Sequence, residues 1–241
     1  MMLKEGQLTE TLFIISCSAS KNSRAEGDKR WVDVIRLEKY SRFQEFASIR
    51  EELLNFYSSI QSDVEAQKIY QGFKYRNPLR WRKAWQTNRK LSSSRICRAI
   101  YRYTGRLYEK LDNVVRRYLA NGVINNVLII SALHGPTLPT DYLPYYDLTM
   151  GDLWKDGKKL KNKWPQWIKE YAGDAFKTFL SKFKEICVMV GKDYKPAARA
   201  IRAIAPNIKK YHEMPSSGSQ STVIWGRKLN RYLLTLIRSQ K

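Results

Sequence analysis

"NNVLIISALHGPTLPTDYLPYYDLTMG" (residues 125–151) decides how this chain folds. It begins with a short apolar run that stops at Ser131, the signature of a strand buried on both faces. Three further runs share the pattern: "TLFIIS" (11–16), "EICVMV" (185–190) and "STVIW" (221–225). Helix-period segments lie between them. The alternation predicts one α/β domain over residues 1–241, with a mostly parallel central sheet flanked by helices. Ligands of such sheets bind beyond the carboxyl ends of the strands. The segments to search are therefore "CSASKNSRAEGDK", the remainder of the opening stretch, "GKDYKPA", and the basic "GRKLNRYLLTLIRSQK" that closes the chain. The Ser/Gly segment "EMPSSGSQS" (213–221) reads either as a linker or as a mobile segment over a site.

The formal net charge is +22 in 241 residues, of which 43% are hydrophobic. That combination describes a folded chain with a polyanionic partner rather than a basic tail. Residues 1–71 carry a net charge of −1, residues 72–120 a net +12 and residues 121–241 a net +11. No run reaches membrane-spanning length, and acids precede the first apolar run, so a signal peptide is not expected. Three widely spaced cysteines point to a reducing cytosol rather than a disulfide framework. With two histidines and no CxxC, neither a metal site nor a cofactor is expected.

Residues 39–61 and 93–119 read as long helices within a basic helical insertion at about 39–120. In the second, Ile96, Ile100, Tyr103, Leu107 and Leu111 form an apolar stripe. Arg95, Arg98, Arg102 and Arg106 recur on another face, with "SSS" at 92–94 as an N-cap. The segment 75–90 interleaves Arg80 and Arg82 with Trp81 and Trp85, and Pro78 is expected to break any helix there. Residues 72–106 contain no acid. Arginines so placed neutralise phosphates, and aromatics between them stack on bases. A core role for the two tryptophans fits their spacing equally well.

The turn after the first run offers Ser18, Ser20, Lys21 and Asn22 to a phosphate or sugar oxygen, without the glycine spacing of a P-loop. A turn capped by serines explains the same residues. In the opening stretch, prolines 136, 139 and 144 stiffen the path around Asp141 and Asp147, with Tyr142, Tyr145 and Tyr146 beside them. Carboxylates among rigid aromatics are desolvated and reactive, and His134 offers an acid or base. The structural alternative makes Asp147 the cap of a helix beginning "LTMGDLW" and His134 a satisfied loop histidine.

Three stretches resemble the YaaA family of bacterial peroxide-stress DNA-binding proteins: "IISCSASKN", "AIYRYTGRLYEKL" and "LIISALHGPTLPTDYLPYYDLTM". The matching positions include Tyr103, Gly105, Tyr108, Leu111, Ser131, His134, Gly135, Asp141, Pro144 and Tyr145. Classical members carry a proline before the lysine of the first turn, and the loop "GPTLPTD" is one residue longer here. The resemblance implies an α/β core with a basic cleft for duplex or distorted DNA. It also implies a helix-hairpin-helix-like element, which "GKDYKPAARAIRAI" (191–204) matches poorly.

A basic face beside a rigid loop with carboxylates suggests chemistry on DNA. Few acids accompany the basic half, which disfavours two-metal phosphodiester hydrolysis. Cleaving an N-glycosidic bond needs one carboxylate to stabilise an oxocarbenium-like sugar, a donor for the leaving base and aromatics for a flipped nucleotide. The expected function is thus a DNA glycosylase acting on a modified base. Asp147 is the first choice of carboxylate and Asp141 the second. His134 or Tyr103 would contact the base, together with Tyr145. Arg80, Arg82, Arg95, Arg98, Arg102 and Arg106 would hold the backbone. If the base is a bulky one of viral DNA, the role is anti-phage defence. The alternatives are a non-enzymatic DNA-binding stress protein and an enzyme of nucleosides or RNA bases, since charge does not separate DNA from RNA.

Overall fold

A computed structural model describes residues 8–215 and 220–239. The strands are β1 (Thr11–Ser16), β2 (Ile96–Arg98), β3 (Val127–Ser131), β4 (Gly135–Thr137), β5 (Tyr142–Pro144), β6 (Glu185–Met189) and β7 (Lys210–Glu213). The helices are α1 (Trp31–Val34), α2 (Ala47–Ser59), α3 (Asp63–Ile69), α4 (Pro78–Asn88), α5 (Ala99–Arg102), α6 (Asn113–Ala120), α7 (Leu160–Tyr171), α8 (Asp174–Ser181), α9 (Lys195–Ile204) and α10 (Ser221–Ser239).

The main sheet has the order β4-β3-β1-β6-β7. Its β3, β1, β6 and β7 run parallel, and β4 folds back antiparallel on β3. The α/β class with a mostly parallel sheet is therefore as the apolar runs predict. The three runs in β1, β3 and β6 are almost wholly buried because helices cover both faces. Register Ser16↔Ile130 brings the carboxyl ends of β1 and β3 level, so the two loops that follow emerge side by side.

A second, two-stranded sheet pairs β2 with β5, joining Ile96 to Pro144, Cys97 to Leu143 and Arg98 to Tyr142. It ties the arginine-rich segment to the loop after β3.

The fourth apolar run is not a strand. Ser221–Trp225 opens α10, whose Trp225, Leu229, Leu233, Leu236 and Ile237 are buried at helical spacing. The run is the first turn of that stripe, and at five residues it carries no period of its own. The remaining parallel strand is β7, "KYHE", a half-exposed edge with no apolar signal. Within the Ser/Gly segment, residues 216–219 lie outside the described residues.

The long helix expected over 93–119 is also absent. The segment breaks into β2, α5, a 3₁₀ turn at Tyr108–Lys110 and α6. The stripe Ile96, Ile100, Tyr103, Leu107 and Leu111 is buried as expected, but a strand, a helical turn and a 3₁₀ turn deliver it in succession. Gly105 stands at the break; a Cβ there would lie 2.0 Å from Ser18 Oγ. Residues 92–94 form a turn rather than an N-cap. Pro78, expected to break a helix, starts α4 at a position where a missing N–H costs nothing, and Asn77 caps it. The helix expected over 39–61 is confined to α2, preceded by a 3₁₀ turn at Gln44–Phe46. Trp81 and Trp85 belong to the core. Segment 191–204 supplies the turn and α9, which packs on α7. Among the described residues no helix is long and apolar enough to cross a membrane.

Candidate functional site

The loops leaving β1, β3 and β6 converge. Cys17 Sγ lies 3.2 Å from Tyr194 Oη, joining the first loop to the third. In the first loop, Ser18 Oγ accepts from Ser20 N at 3.1 Å and Asn22 Oδ1 from Arg24 N at 2.9 Å. These are the bonds of a side-chain-capped turn. The turn is also sewn to residues 102–104: Asn22 N donates to Arg102 O at 2.8 Å and Thr104 N to Ser20 O at 3.1 Å.

Beneath the turn lies a hydroxyl chain. Tyr146 Oη stands 2.9 Å from both Tyr103 Oη and Ser131 Oγ, and all three residues are buried. Burial raises the pKa of both phenols well above the ordinary tyrosine range, so they stay neutral. The Lys21 ammonium sits 4.2 Å above the Tyr146 ring. Its Nζ is covered from solvent and has no hydrogen-bond partner. Burial is the main cause that lowers its pKa to about 8; Lys74 and Arg102 push the same way, while Cys17 and Asp147 oppose.

Asp147 is fixed by residues far away in sequence. Asn88 donates to its carbonyl at 2.7 Å and accepts from its amide at 2.8 Å. Tyr75 Oη donates to its carboxylate at 2.9 Å, and Lys74 forms an ion pair with the same carboxylate. The Asp147 side chain remains 27% exposed and that of Lys74 19%. The carboxylate is thus held by a cation and a phenol and keeps a face to solvent. No helix starts at "LTMGDLW", so the capping alternative for Asp147 falls; the next helix is α7.

Asp141 and His134 lie elsewhere, deeper in the molecule. Asp141 spends both oxygens on backbone amides, Arg42 N at 2.9 Å and Leu138 N at 2.8 Å. Burial raises its pKa to about 6. His134 is fully buried, with Nε2 3.2 Å from Ser41 Oγ and Nδ1 3.0 Å from Thr137 Oγ1. Burial, then the neighbouring Arg50, push its pKa well below the usual value. It is a satisfied loop histidine that no substrate reaches in this arrangement.

The six arginines expected on the backbone-binding face do not share one. Arg102 is buried and donates to the carbonyls of Asn22, Arg24, Arg95 and Leu143. It holds the first loop against β5 and has no surface to offer a phosphate. Arg98 donates to Tyr142 Oη at 3.1 Å and faces Glu26 at 3.8 Å. Arg82 pairs with Asp63 at 3.0 Å and Arg95 with Asp28 at 3.7 Å, both on the surface. Arg80 and Arg106 are exposed. Two basic depressions open near the cluster. One is lined by Lys83, Lys90, Ser93, Ser94 and Tyr145. The other is lined by Asn22, Arg24, Arg98, Arg116, Arg117, Tyr101 and Tyr142.

Lys74, Tyr75, Asn88 and Tyr194 carry no motif of their own. The one available signal was that Lys74, Tyr75 and Asn88 fall in the acid-free stretch 72–106.

The molecule is thus an α/β protein with a lysine–carboxylate cluster at its strand ends and basic surface around it. It belongs to the peroxide stress protein YaaA family, whose model matches residues 12–214. No curated protein matches the chain.

Proposed function

We propose that this chain is a DNA-binding enzyme that hydrolyses the N-glycosidic bond of a modified base, with Asp147 as the carboxylate. The observation that carries the reading is the setting of Asp147: a part-exposed carboxylate pinned by Asn88 and Tyr75 beside Lys74. A carboxylate so placed stabilises positive charge on C1′ of the sugar or directs water to it. Tyr145 lines the basic depression next to Tyr146, and in this reading its ring stacks on an extruded base. Lys83, Lys90, Arg80 and Arg106 supply phosphate contacts. His134 and Asp141 take no part beyond holding the loop.

The test is base release from a panel of duplexes: unmodified, uracil-containing, oxidised, alkylated, hydroxymethylated and glucosylated. Alkali cleavage and mass spectrometry give the readout, with Asp147→Asn alongside. Release from one substrate, lost in the variant with binding kept, establishes the activity.

The second reading is a non-enzymatic DNA-binding protein that protects against peroxide stress. Family membership favours it. So does the occupation of the carboxylate by Lys74 and Tyr75, which gives Asp147 a structural duty of its own. Salt-sensitive binding to every duplex, with no base released, would select it.

A further inference from the structure

The Lys21 amine has no role in the reading above, and its setting is unusual for a lysine. Surface lysines point into water, and buried ones pair with a carboxylate. Lys21 does neither: its Nζ is covered and unpartnered, while the nearby carboxylate is taken by Lys74 and Tyr75. Its turn is fixed by the pairing of Lys21 with Tyr103 and by the close passage of Gly105 against Ser18. The fold therefore holds an amine over the Tyr146 ring and withholds every acceptor from it.

We infer that Lys21 is a nucleophile for the aldehyde of an abasic deoxyribose in DNA, forming an imine with C1′. The inference rests on the DNA reading for its substrate class, but not on base release by this chain. An amine that is easily deprotonated near neutral pH has a free lone pair for carbonyl addition. Asp147 and Lys74 lie close enough to act on the Lys21 charge, and imine formation requires a rotamer change that turns Nζ from the Tyr146 ring toward that pair.

The chemistry balances as follows. The Nζ lone pair adds to C1′ of the ring-opened sugar, and loss of one water leaves a protonated imine. Asp147 takes a proton from C2′. The electrons of that C–H bond form C2′=C3′, and the C3′–O3′ bond breaks with the phosphate leaving. Water then hydrolyses the imine and restores the amine. The strand is cut on the 3′ side of the abasic sugar with no metal and no oxidant consumed.

Borohydride trapping on duplex DNA with a preformed abasic site tests this, because that substrate bypasses base release. Hydride reduces the imine to a stable secondary amine, seen as a slow-migrating protein–DNA species on a denaturing gel. Peptide mapping of the wild-type adduct is expected to place it on Lys21. Lys21→Arg, which keeps the charge, is expected to bring trapping to the level of protein-free DNA, while Lys177→Arg, on the exposed face of α8, keeps it. Free deoxyribose 5-phosphate is expected to trap weakly; equal trapping would mean a small-aldehyde site and overturn the DNA substrate. An adduct mapped to other lysines, or full trapping in Lys21→Arg, overturns the proposal. Trapping without base release from any modified duplex keeps this inference and removes the glycosylase. Base release without trapping does the reverse.

Discussion

Gly105 passes Ser18 so closely that a Cβ on the glycine would stand 2.0 Å from the serine Oγ. The contact joins the turn after β1, which carries Lys21, to the break between α5 and the 3₁₀ turn. Gly105→Ala forces Ser18 to rotate and release the Ser20 amide. The expected cost is about 1–3 kcal/mol. Ser18→Ala removes the clashing oxygen, so the double variant should lose less than the two single losses combined. Urea unfolding of the four proteins gives the coupling; strict additivity would show that the contact yields freely.

Arg102 is a structural cation. Replacing it with methionine takes a donor from each of four carbonyls and is expected to cost roughly 3 kcal/mol or more. Arg80→Gln, on the exposed start of α4, should leave stability within about 0.5 kcal/mol. It should also lower the slope of log affinity against log salt by about 1. DNA titrations at several salt concentrations, run beside thermal melts, separate the two effects. An Arg80→Gln variant with an unchanged slope would remove α4 from the proposed DNA interface.

Asp152 brings a pH dependence. It is buried and accepts from Gly72 N at 2.9 Å and Thr149 N at 2.6 Å. Burial, the largest cause, raises its pKa from 3.8 to about 7. Between those values the folded chain holds a proton that the unfolded chain has released. Stability from this group is full below the unfolded value and is lost as pH rises toward 7. Asp141, raised to about 6, acts in the same direction. Denaturation midpoints across pH 4 to 7 should fall less steeply in Asp152→Asn than in the wild type; parallel curves would refute the assignment.

His134 opposes that trend. Its pKa is pushed well below 6.5 by burial and Arg50, so the unfolded chain takes up a proton that the folded one refuses. Its contribution is full above the unfolded value and is lost as pH falls from there through the depressed folded value. The His134 imidazole signals in a two-dimensional NMR titration should stay in the neutral position from about pH 8 down to about pH 6. A midpoint near the ordinary value would mean that the loop opens in solution.

The parts of the fold that were readable were those set by simple burial. An apolar run covered on both faces needs no partner to announce itself, so β1, β3 and β6 stood out. Strand β7 did not, because an edge strand with Lys210 and Glu213 at its ends carries no such run. The stripe from Ile96 to Leu111 foretold which residues are buried but not how, since short elements in series reproduce a helical spacing. The loops holding the site were legible from the strand ends. The partners of Asp147 were not: Lys74, Tyr75 and Asn88 reach it across 59 to 73 residues, a distance over which no local pattern speaks. Lys21 was picked out for its charge, whereas its distinguishing property is its isolation, which only the packing reveals.

The β2–β5 ladder also limits how the chain can change over generations. With Arg98 facing Tyr142, residues 99–141 form a closed loop of chain whose two ends are clasped. Length can vary within that loop at exposed turns such as the one at Gly122. A residue added between Tyr142 and Asp147 is different: it would slide the carboxylate out of reach of Asn88 and Tyr75 while the clasp held fast. The ladder is a ruler, and among descendants of this sequence the spacing from Tyr142 to Asp147 should drift last.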